Sequence, residues 1–168
     1  SAFEWHRLDP DPLNFVSVGA MGQASSHALG LAIGLPAQKI IVLDGDGSLL
    51  MNLSTLTTIA NAAPKNLVHF VVENGTYEAN GGHQTPAQGK ADLAAMARAA
   101  GYAEAQTYEG LNQFAADIRD LLSIPGPVFA ALKVEAGDAP PLNYDYEWLH
   151  SADRRREFRD AVKLLLKD

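Results

Sequence analysis

The chain contains no cysteine, which excludes disulfide bonds, thiolate metal sites and cysteine nucleophiles. It also lacks any run approaching the roughly 18 apolar residues that a membrane-spanning helix needs. Its first residues, Ser1–Arg7, do not have the basic-then-apolar pattern of a signal peptide. The sequence therefore predicts a soluble protein, and the cytoplasm is its expected location.

Positive charge is scarce as well. Lys65 is the only lysine or arginine between Ile40 and Gly89, and the formal net charge of the chain is -7. This balance argues against binding to a nucleic-acid backbone. With 168 residues, 47% of them hydrophobic, the chain can bury one sizeable core but is short for two independent domains. We expect a single domain over residues 1–168.

Short apolar runs alternate with helix-like segments along the chain. The runs are rich in valine and isoleucine, which is typical of buried strands. Because parallel strands need crossovers and helices supply them, the alternation predicts an α/β fold, a parallel sheet with helices on both faces. The predicted strands are Phe15–Val18, Ile40–Leu43, Leu67–Val72, Ala103–Gln106 and Val128–Val134, and the predicted helices are Met21–Leu35, Ser48–Ala62, Asp92–Ala100, Leu111–Leu122 and Ser151–Leu166.

Three loops, Gly19–Gly22, Asp44–Ser48 and Glu73–Tyr77, follow predicted strands, at the edge where open parallel sheets bind ligands. The second loop opens a helix, so its amides can point at an anion. Asp46 in this loop would repel a bare phosphate. A divalent cation between the two groups makes the carboxylate favourable, so the residues indicate a metal-bridged phosphate.

The third loop offers further oxygen ligands for such a cation. Asn74 has an amide oxygen, and a free backbone carbonyl is expected near Gly75 or Thr76. One acid, one amide and one carbonyl leave about three positions of an octahedral Mg2+ for phosphate oxygens and water. These three ligands therefore predict a clamp for a phosphate-bearing cofactor.

Other phosphate and metal motifs do not fit the same residues. A calcium loop beginning at Asp44 would need a bidentate glutamate at its twelfth position, where Thr55 stands. No Gly-Lys-Ser or Gly-Lys-Thr P-loop occurs, and a dinucleotide fingerprint needs a glycine where Leu50 stands.

The remaining polar residues divide into structural and functional candidates. We expect His27 and His69 to be packed, hydrogen-bonded structural histidines. His83 lies in the glycine-rich stretch Asn74–Gly89, where a side chain can reach a substrate or partner. Acids interleave with Arg154–Arg156 on a predicted helix, which predicts a solvated, self-paired face.

The spacing of two of these loops carries a family resemblance. Gly45–Ser48, followed after a helix and a strand by Glu73–Gly75, resembles the thiamine-diphosphate signature of a Gly-Asp-Gly and a downstream Asn-Asn. Within that superfamily, Met21–Gly30 and Asn74–Gly82 look most like sulfopyruvate and phosphonopyruvate decarboxylases. The resemblance spans Phe15–Ala136. Glu73 replaces the first Asn, and Gln23 stands where His or Leu is expected, which leaves the substrate open.

The resemblance implies a role for each residue of the three loops. Gly19 would offer its carbonyl to the aminopyrimidine, and Met21, the catalytic candidate, would prop thiamine diphosphate in its bent conformation. Gly45 and Ser48 would contact the diphosphate. The implied metal ligands are Asp46, Asn74 and the Thr76 carbonyl, and the full set of implied cofactor-binding residues is Gly19, Ala20, Met21, Gly45, Asp46, Gly47, Ser48, Asn74, Thr76 and Tyr77.

The resemblance also implies a missing half. In the superfamily, the glutamate that activates the cofactor lies on a separate pyrimidine-binding domain, for which this chain has no room. The chain would then be the beta-type subunit of a 2-oxo acid decarboxylase, completed by an alpha-type chain in a dimeric or higher assembly. Acetolactate-type carboligation and a non-catalytic α/β scaffold remain the alternatives.

Overall fold

The computed structural model describes residues 2–16, 19–137 and 145–166. They belong to two compact units, one comprising Met21–Ala136 and the other the two chain ends, Ser1–Ala20 with Gly137–Asp168. The expected single diphosphate-binding domain over residues 1–168 remains a prediction. None of the helices in the described part of the chain combines the length and apolar character needed to cross a bilayer.

The unit Met21–Ala136 is built on a four-stranded parallel sheet. Its strands are β1, β2, β5 and β6 in the order β1-β2-β6-β5, and β3 with β4 forms a small antiparallel hairpin. In chain order the elements of this unit are α2 (Ala24–Gly34), β1 (Ile40–Gly45), α3 (Asp46–Met51), α4 (Thr55–Ala62), β2 (Leu67–Glu73), β3 (Thr76–Tyr77), β4 (His83–Gln84), α5 (Leu93–Ala100), β5 (Glu104–Tyr108), α6 (Leu111–Ser123) and β6 (Val128–Lys133), and those of the chain ends are α1 (Ala2–Leu8), α7 (Tyr146–His150) and α8 (Ala152–Leu165).

Helices cover both faces of this sheet, because side chains alternate between the faces along each strand. Leu67 and Val71 of β2 pack in a core with α2, α3, α4 and α5, whereas Val68 and Phe70 pack in a second core with α6. The predicted α/β fold is confirmed, and four of the five predicted strands are found within one to two residues of their expected ends. For the predicted strand Phe15–Val18, Phe15 and Val16 are not in a strand, and Ser17 and Val18 lie outside the described residues.

Two predicted helices needed correction. The single helix expected over Ser48–Ala62 is two helices, α3 and α4, separated by Asn52–Ser54. The break occurs because polar side chains compete for the backbone there: the Thr55 hydroxyl donates to the Asn52 carbonyl (2.9 Å). The helix expected from Met21 begins only at Ala24, since Gly22 has a φ of +87° that a helix cannot accept.

The predicted caps are confirmed by their hydrogen bonds. Asp92 accepts from the backbone N–H of Ala95 (2.8 Å) at the start of α5, and Gly101 ends that helix with a φ of +110°. A capping side chain and a glycine at these places are strong helix boundaries, which is why the sequence located α5 so closely.

The unit made of the chain ends depends on one buried cation. Arg154 of α8 is only 3% exposed, and its guanidinium donates to the carbonyls of Pro12 (3.1 Å) and Asn14. Phe15 packs against Phe158 with ring centroids 5.0 Å apart. The solvated face predicted for Arg154–Arg156 is therefore wrong for Arg154, because backbone carbonyls of the N-terminal segment draw it inward.

Candidate phosphate and cation site at the carboxyl ends of the strands

Helix α3 begins directly where β1 ends, with no intervening loop. Gly45 is the N-cap residue in an extended conformation (φ -111°, ψ 155°), and it has no side chain to satisfy the N–H groups of the first turn. Apart from Gly45 and its chain neighbours, no atom of the described residues lies within 4 Å of the position that a Gly45 Cβ would take. The first turn of α3 thus leaves space beside its backbone, at the end of the helix that favours an anion.

Asp46 fastens this helix start to the turn after β2. Its side chain is buried at 2% exposure, and Oδ2 accepts hydrogen bonds from the Gly75 N–H (3.0 Å) and the Thr85 hydroxyl (3.1 Å). Among the described residues, no donor lies within hydrogen-bonding distance of the other oxygen, Oδ1. One carboxylate oxygen thus links protein segments, and the second has lone pairs that none of the described residues engages.

The turn after β2 is closed by Asn74. Its amide Oδ1 accepts from the Thr76 N–H (2.9 Å) and, at a longer distance, from the Thr76 hydroxyl (3.3 Å). Gly75 has a φ of +72°, and its carbonyl accepts from the Thr85 N–H (2.9 Å). Asp46 and Asn74, which are 28 positions apart in the chain, are thereby brought to neighbouring points at one corner of the sheet.

Two close contacts require glycine around α3. The ring of Tyr77 lies on Gly47, where an added Cβ would be 2.6 Å from Cδ1. An added Cβ on Gly22 would be 3.1 Å from the Cβ of Met51, and the Gly22 N–H donates to the Ser48 hydroxyl oxygen (3.0 Å). The turn containing half-buried Met21 is thus joined to the helix start.

Two of the residues implied by the resemblance fall in the other compact unit. Gly19, with a φ of +75°, and Ala20 belong to the unit of the chain ends. The other eight, from Met21 to Tyr77, belong to the unit that contains the sheet.

A buried polar chain lies beside the first turn of α3. Asp44 of β1 is 4% exposed, and one of its oxygens is 3.4 Å from Nε2 of the fully buried His69. The Nδ1 of His69 is 3.4 Å from the Tyr102 hydroxyl. Burial works to raise the pKa of Asp44, but the hydrogen bond and charge of His69, with help from Ser48 and Gly45, hold that pKa below its ordinary value.

A second acid at this edge is matched by a cation on the neighbouring strand. Glu73, 6% exposed, accepts a charged hydrogen bond from Lys133, its register partner on β6. Glu73 stands where the family signature has an Asn, and the ion pair explains how an acid is tolerated there. His83 is exposed on β4, opposite Tyr77.

Sequence reasoning missed Thr85, Tyr102 and the role of His69. Thr85 lies in a stretch without periodicity, so no signal marked it. For Asp44 and His69 a signal existed: both occupy positions of one sheet face near the carboxyl ends of adjacent strands, where diagonal neighbours meet. A histidine and an acid sharing a buried face indicate a polar pair.

The domain thus combines three features: a helix start with open backbone, a carboxylate with one oxygen that accepts no hydrogen bond from the described residues, and a turn that carries an amide. Together they suit a phosphate-bearing ligand held through a divalent cation. Among the described residues, no group of three or more His, Cys, Asp or Glu side chains is arranged to hold a metal. A cation here would therefore need amide, carbonyl and ligand oxygens beside the single acid.

Residues 3–131 match the family described as "Thiamine pyrophosphate enzyme, C-terminal TPP binding domain". Thiamine pyrophosphate is another name for thiamine diphosphate. The chain belongs to this family, since the match covers well over half of its length. The resemblance drawn from Gly45–Ser48 and Glu73–Gly75 is thereby confirmed, and thiamine diphosphate is the cofactor of the family.

Relatives with assigned names indicate which members of the family this chain resembles. The chain is 36% identical to a phosphonopyruvate decarboxylase of Streptomyces hygroscopicus over 156 residues, which is 92% of this chain but 38% of that protein. It is 37% identical to the sulfopyruvate decarboxylase subunit beta of Methanothermobacter thermautotrophicus over 146 residues, or 86% of this chain and 75% of that subunit. These relatives are decarboxylases, as predicted.

A solved structure supports the fold. Benzoylformate decarboxylase from Polynucleobacter necessarius has a TM-score of 0.62 to this chain, with 22% identity, over 73% of this chain and 25% of that one. At this identity the likeness concerns the fold alone. This chain spans well under half the length of that enzyme and of the Streptomyces relative.

Proposed function

We propose that this chain is the diphosphate-binding part of a 2-oxo acid decarboxylase and holds thiamine diphosphate through Mg2+. The observation that carries the proposal is the position of Asp46 in a chain of this family. Its buried carboxylate joins the first turn of α3 to the Asn74–Thr76 turn, and its Oδ1 accepts no hydrogen bond from the residues that the structure describes.

The donor set at this corner fits Mg2+. Oδ1 of Asp46 has no hydrogen-bond donor to displace among the described residues. The Oδ1 of Asn74 could accept the cation in place of its longer bond from the Thr76 hydroxyl (3.3 Å), while the Thr76 N–H bond (2.9 Å) keeps the turn closed. With the Thr76 carbonyl as third ligand, the remaining positions suit phosphate oxygens and water.

The diphosphate would be held by backbone groups. The space beside Gly45 and the N–H groups of Gly47 and Ser48 suit a phosphate at the start of α3. The Ser48 hydroxyl oxygen already accepts from the Gly22 N–H, so we assign the diphosphate contact of Ser48 to its backbone rather than its side chain. Tyr77 contributes by packing on Gly47.

The thiamine end of the cofactor would meet the first loop. Met21 would support the bent conformation, and Gly19 and Ala20 would contact the aminopyrimidine with backbone groups. When bound, thiamine diphosphate supplies the electron sink that breaks a carbon–carbon bond beside a carbonyl. The contribution of this chain is to bind and orient the cofactor, and such positioning lowers the barrier by several kcal/mol in general.

The relatives suggest both substrate class and partner. The Streptomyces relative is named for phosphonopyruvate and the Methanothermobacter relative for sulfopyruvate. We propose a 2-oxo acid with an anionic group on its third carbon as the substrate. Because the second relative is a subunit beta, we further propose a separate pyrimidine-binding subunit that supplies the catalytic glutamate in a dimeric or higher assembly.

Calorimetric titration with thiamine diphosphate, with and without Mg2+, tests the cofactor site. Asp46→Asn is the sharpest variant, because an amide oxygen can still accept from Gly75 and Thr85 while the negative charge is lost. Asp120→Ala, which removes an exposed acid on α6, is the matched control. We expect Mg2+-dependent binding in the wild type and in the control, and its loss in Asp46→Asn.

The same titration is repeated with a pyrimidine-domain subunit present, since half a site binds weakly. Tighter binding with that subunit, followed by release of carbon dioxide from sulfopyruvate or phosphonopyruvate, would support the complete proposal. Absence of cofactor binding in the presence of the subunit would contradict it.

A further inference from the structure

The buried polar chain Tyr102–His69–Asp44 has no part in the proposed cofactor contacts. Its three side chains are 5%, 0% and 4% exposed and come from three different segments of the unit. The His69 ring packs edge-on against Phe129, with centroids 5.3 Å apart, and Tyr102 packs on the same phenyl ring at 5.8 Å. The contact with Phe129 therefore holds the imidazole, and the contact of Tyr102 with the same phenyl ring holds its hydroxyl group beside the imidazole.

The Tyr102 hydroxyl is available as a donor to His69. Burial, reinforced by the charge of Asp44, raises the pKa of Tyr102 above its ordinary value, so its hydroxyl keeps its proton. The phenol can then donate to Nδ1 of His69, which leaves the ring proton on Nε2. The Nε2 of His69 lies 3.4 Å from an oxygen of Asp44, and a proton on Nε2 would be donated to that carboxylate.

Asp44 connects this donor to the start of α3. Its Oδ1 accepts from the Gly45 N–H (2.9 Å), and Ser48 also stabilises its charge. Ser48 in turn accepts from the Gly22 N–H (3.0 Å). Polar contacts therefore run from the sheet interior to the start of α3.

Stability alone does not account for such a chain. A buried acid and histidine can commonly be replaced by apolar residues of similar volume without loss of stability. The face that holds Asp44 and His69 is otherwise filled by apolar side chains such as Leu67 and Val71. A polar chain in that surrounding calls for another role.

We propose that His69 is a positioning residue for the diphosphate-binding turn. By donating to one oxygen of Asp44 it holds the carboxylate in place, so that the other oxygen keeps its bond from the Gly45 N–H and the N–H groups of Gly47 and Ser48 remain available to the diphosphate. This inference rests on the proposed function, because it assigns those N–H groups to the cofactor.

Three variants separate positioning from packing. His69→Leu removes the donor and keeps an apolar volume, whereas His69→Gln keeps an N–H donor that can reach Asp44. Val128→Ala is the control: it is fully buried on the opposite sheet face and lowers stability without touching the polar chain. Affinity for thiamine diphosphate with Mg2+ is measured with the partner subunit present, at a temperature where each variant is folded.

Loss of a hydrogen bond to a charged group predicts about tenfold to a hundredfold weaker binding in His69→Leu. His69→Gln should bind within about threefold of the wild type, since its donor is retained. Val128→Ala should bind like the wild type despite its lower stability. A purely structural role would instead weaken His69→Leu and Val128→Ala alike.

A second measurement needs no variant and no cofactor. The ring nitrogen chemical shifts of His69 in the wild-type protein report which nitrogen carries the proton. We expect the proton on Nε2, and a proton on Nδ1 alone would overturn the inference, because Asp44 would then receive no donor.

The outcomes separate the two proposals. Wild-type affinity in His69→Leu, with Mg2+-dependent binding intact, overturns the role of His69 and leaves the proposed function standing. Failure of the wild type to bind the cofactor with its partner overturns both. Should His69→Leu not fold, the ring-nitrogen measurement and His69→Gln still decide the question.

Discussion

Two glycines that flank the same acid should respond to alanine in opposite ways. Gly47 lies under the Tyr77 ring, and an alanine methyl there would be 2.6 Å from Cδ1 and 2.8 Å from Cε1. Gly45 has extended backbone, and beyond its chain neighbours an alanine methyl would meet no atom within 4 Å in the part of the chain that the structure describes. Gly47→Ala therefore tests packing, and Gly45→Ala tests the space beside the helix start.

The magnitudes follow from these contacts. Alanine favours a helix over glycine by about 1 kcal/mol, but moving the Tyr77 ring by roughly 1 Å is an overpacking change that costs about 1–3 kcal/mol. We expect Gly47→Ala to lower the free energy of unfolding by about 1 kcal/mol, or roughly 2–4 °C in Tm. Gly45→Ala should be neutral or stabilising by up to about 1 kcal/mol.

For cofactor affinity, Gly45→Ala should be the more damaging of the two variants. The methyl of Gly45→Ala enters the space that we assign to the diphosphate, so affinity for thiamine diphosphate with Mg2+ should fall by at least about tenfold, equivalent to about 1.4 kcal/mol. Urea unfolding and calorimetry on the same samples measure both quantities. Wild-type affinity in a fully stable Gly45→Ala would refute the assignment of the diphosphate to this turn.

Three further changes probe the surrounding contacts. Thr85→Val deletes one donor to Asp46 and should cost about 1 kcal/mol in urea unfolding; an unchanged unfolding curve would contradict that bond. Arg154→Leu should lower the free energy of unfolding by about 2–3 kcal/mol and expose residues 9–16 to limited proteolysis. Unchanged stability and proteolysis would show that the carbonyl contacts of Arg154 are dispensable. Folding lowers the pKa of Asp44, so the stability that this group contributes is complete above about pH 3.8 and is lost below that pH. The free energy of unfolding of Asp44→Asn should therefore fall less steeply than that of the wild type as the pH is lowered through this range. The same fall in both proteins would refute the prediction.

The parts of the fold that the sequence could predict are those with local causes. Alternating faces and apolar runs located β1, β2 and β6, and the Asp92 cap with Gly101 located α5. The start of α4 also has a long-range partner. The hydroxyl of Thr55, its first residue, lies 3.1 Å from that of Ser25 on α2, 30 positions away, which no local pattern reveals.

The candidate site divides in the same way. The Gly-Asp-Gly turn and Asn74 were predicted, because a carboxylate at a helix start conflicts with an anion unless a cation intervenes. Thr85, a donor to Asp46, was missed because it reaches the site through the β3–β4 hairpin. His69 was predicted to be structural, and only its distances to Asp44 and Tyr102 connect it to the turn.

At this corner of the sheet the polar side chains bond to other protein groups, and the backbone N–H groups are left to bind the ligand. Ser48 and Thr85 bond to other turns and Asn74 closes its own, while Gly45 and Gly47 carry no side chain between the first turn of α3 and its surroundings. A phosphate held by backbone N–H groups requires only that the turn keep its shape. Substitutions that preserve the backbone shape, the space beside Gly45 and the charge of Asp46 should therefore preserve cofactor affinity, even where another polar side chain is lost, whereas those that shift Asp44 or Asp46 should not.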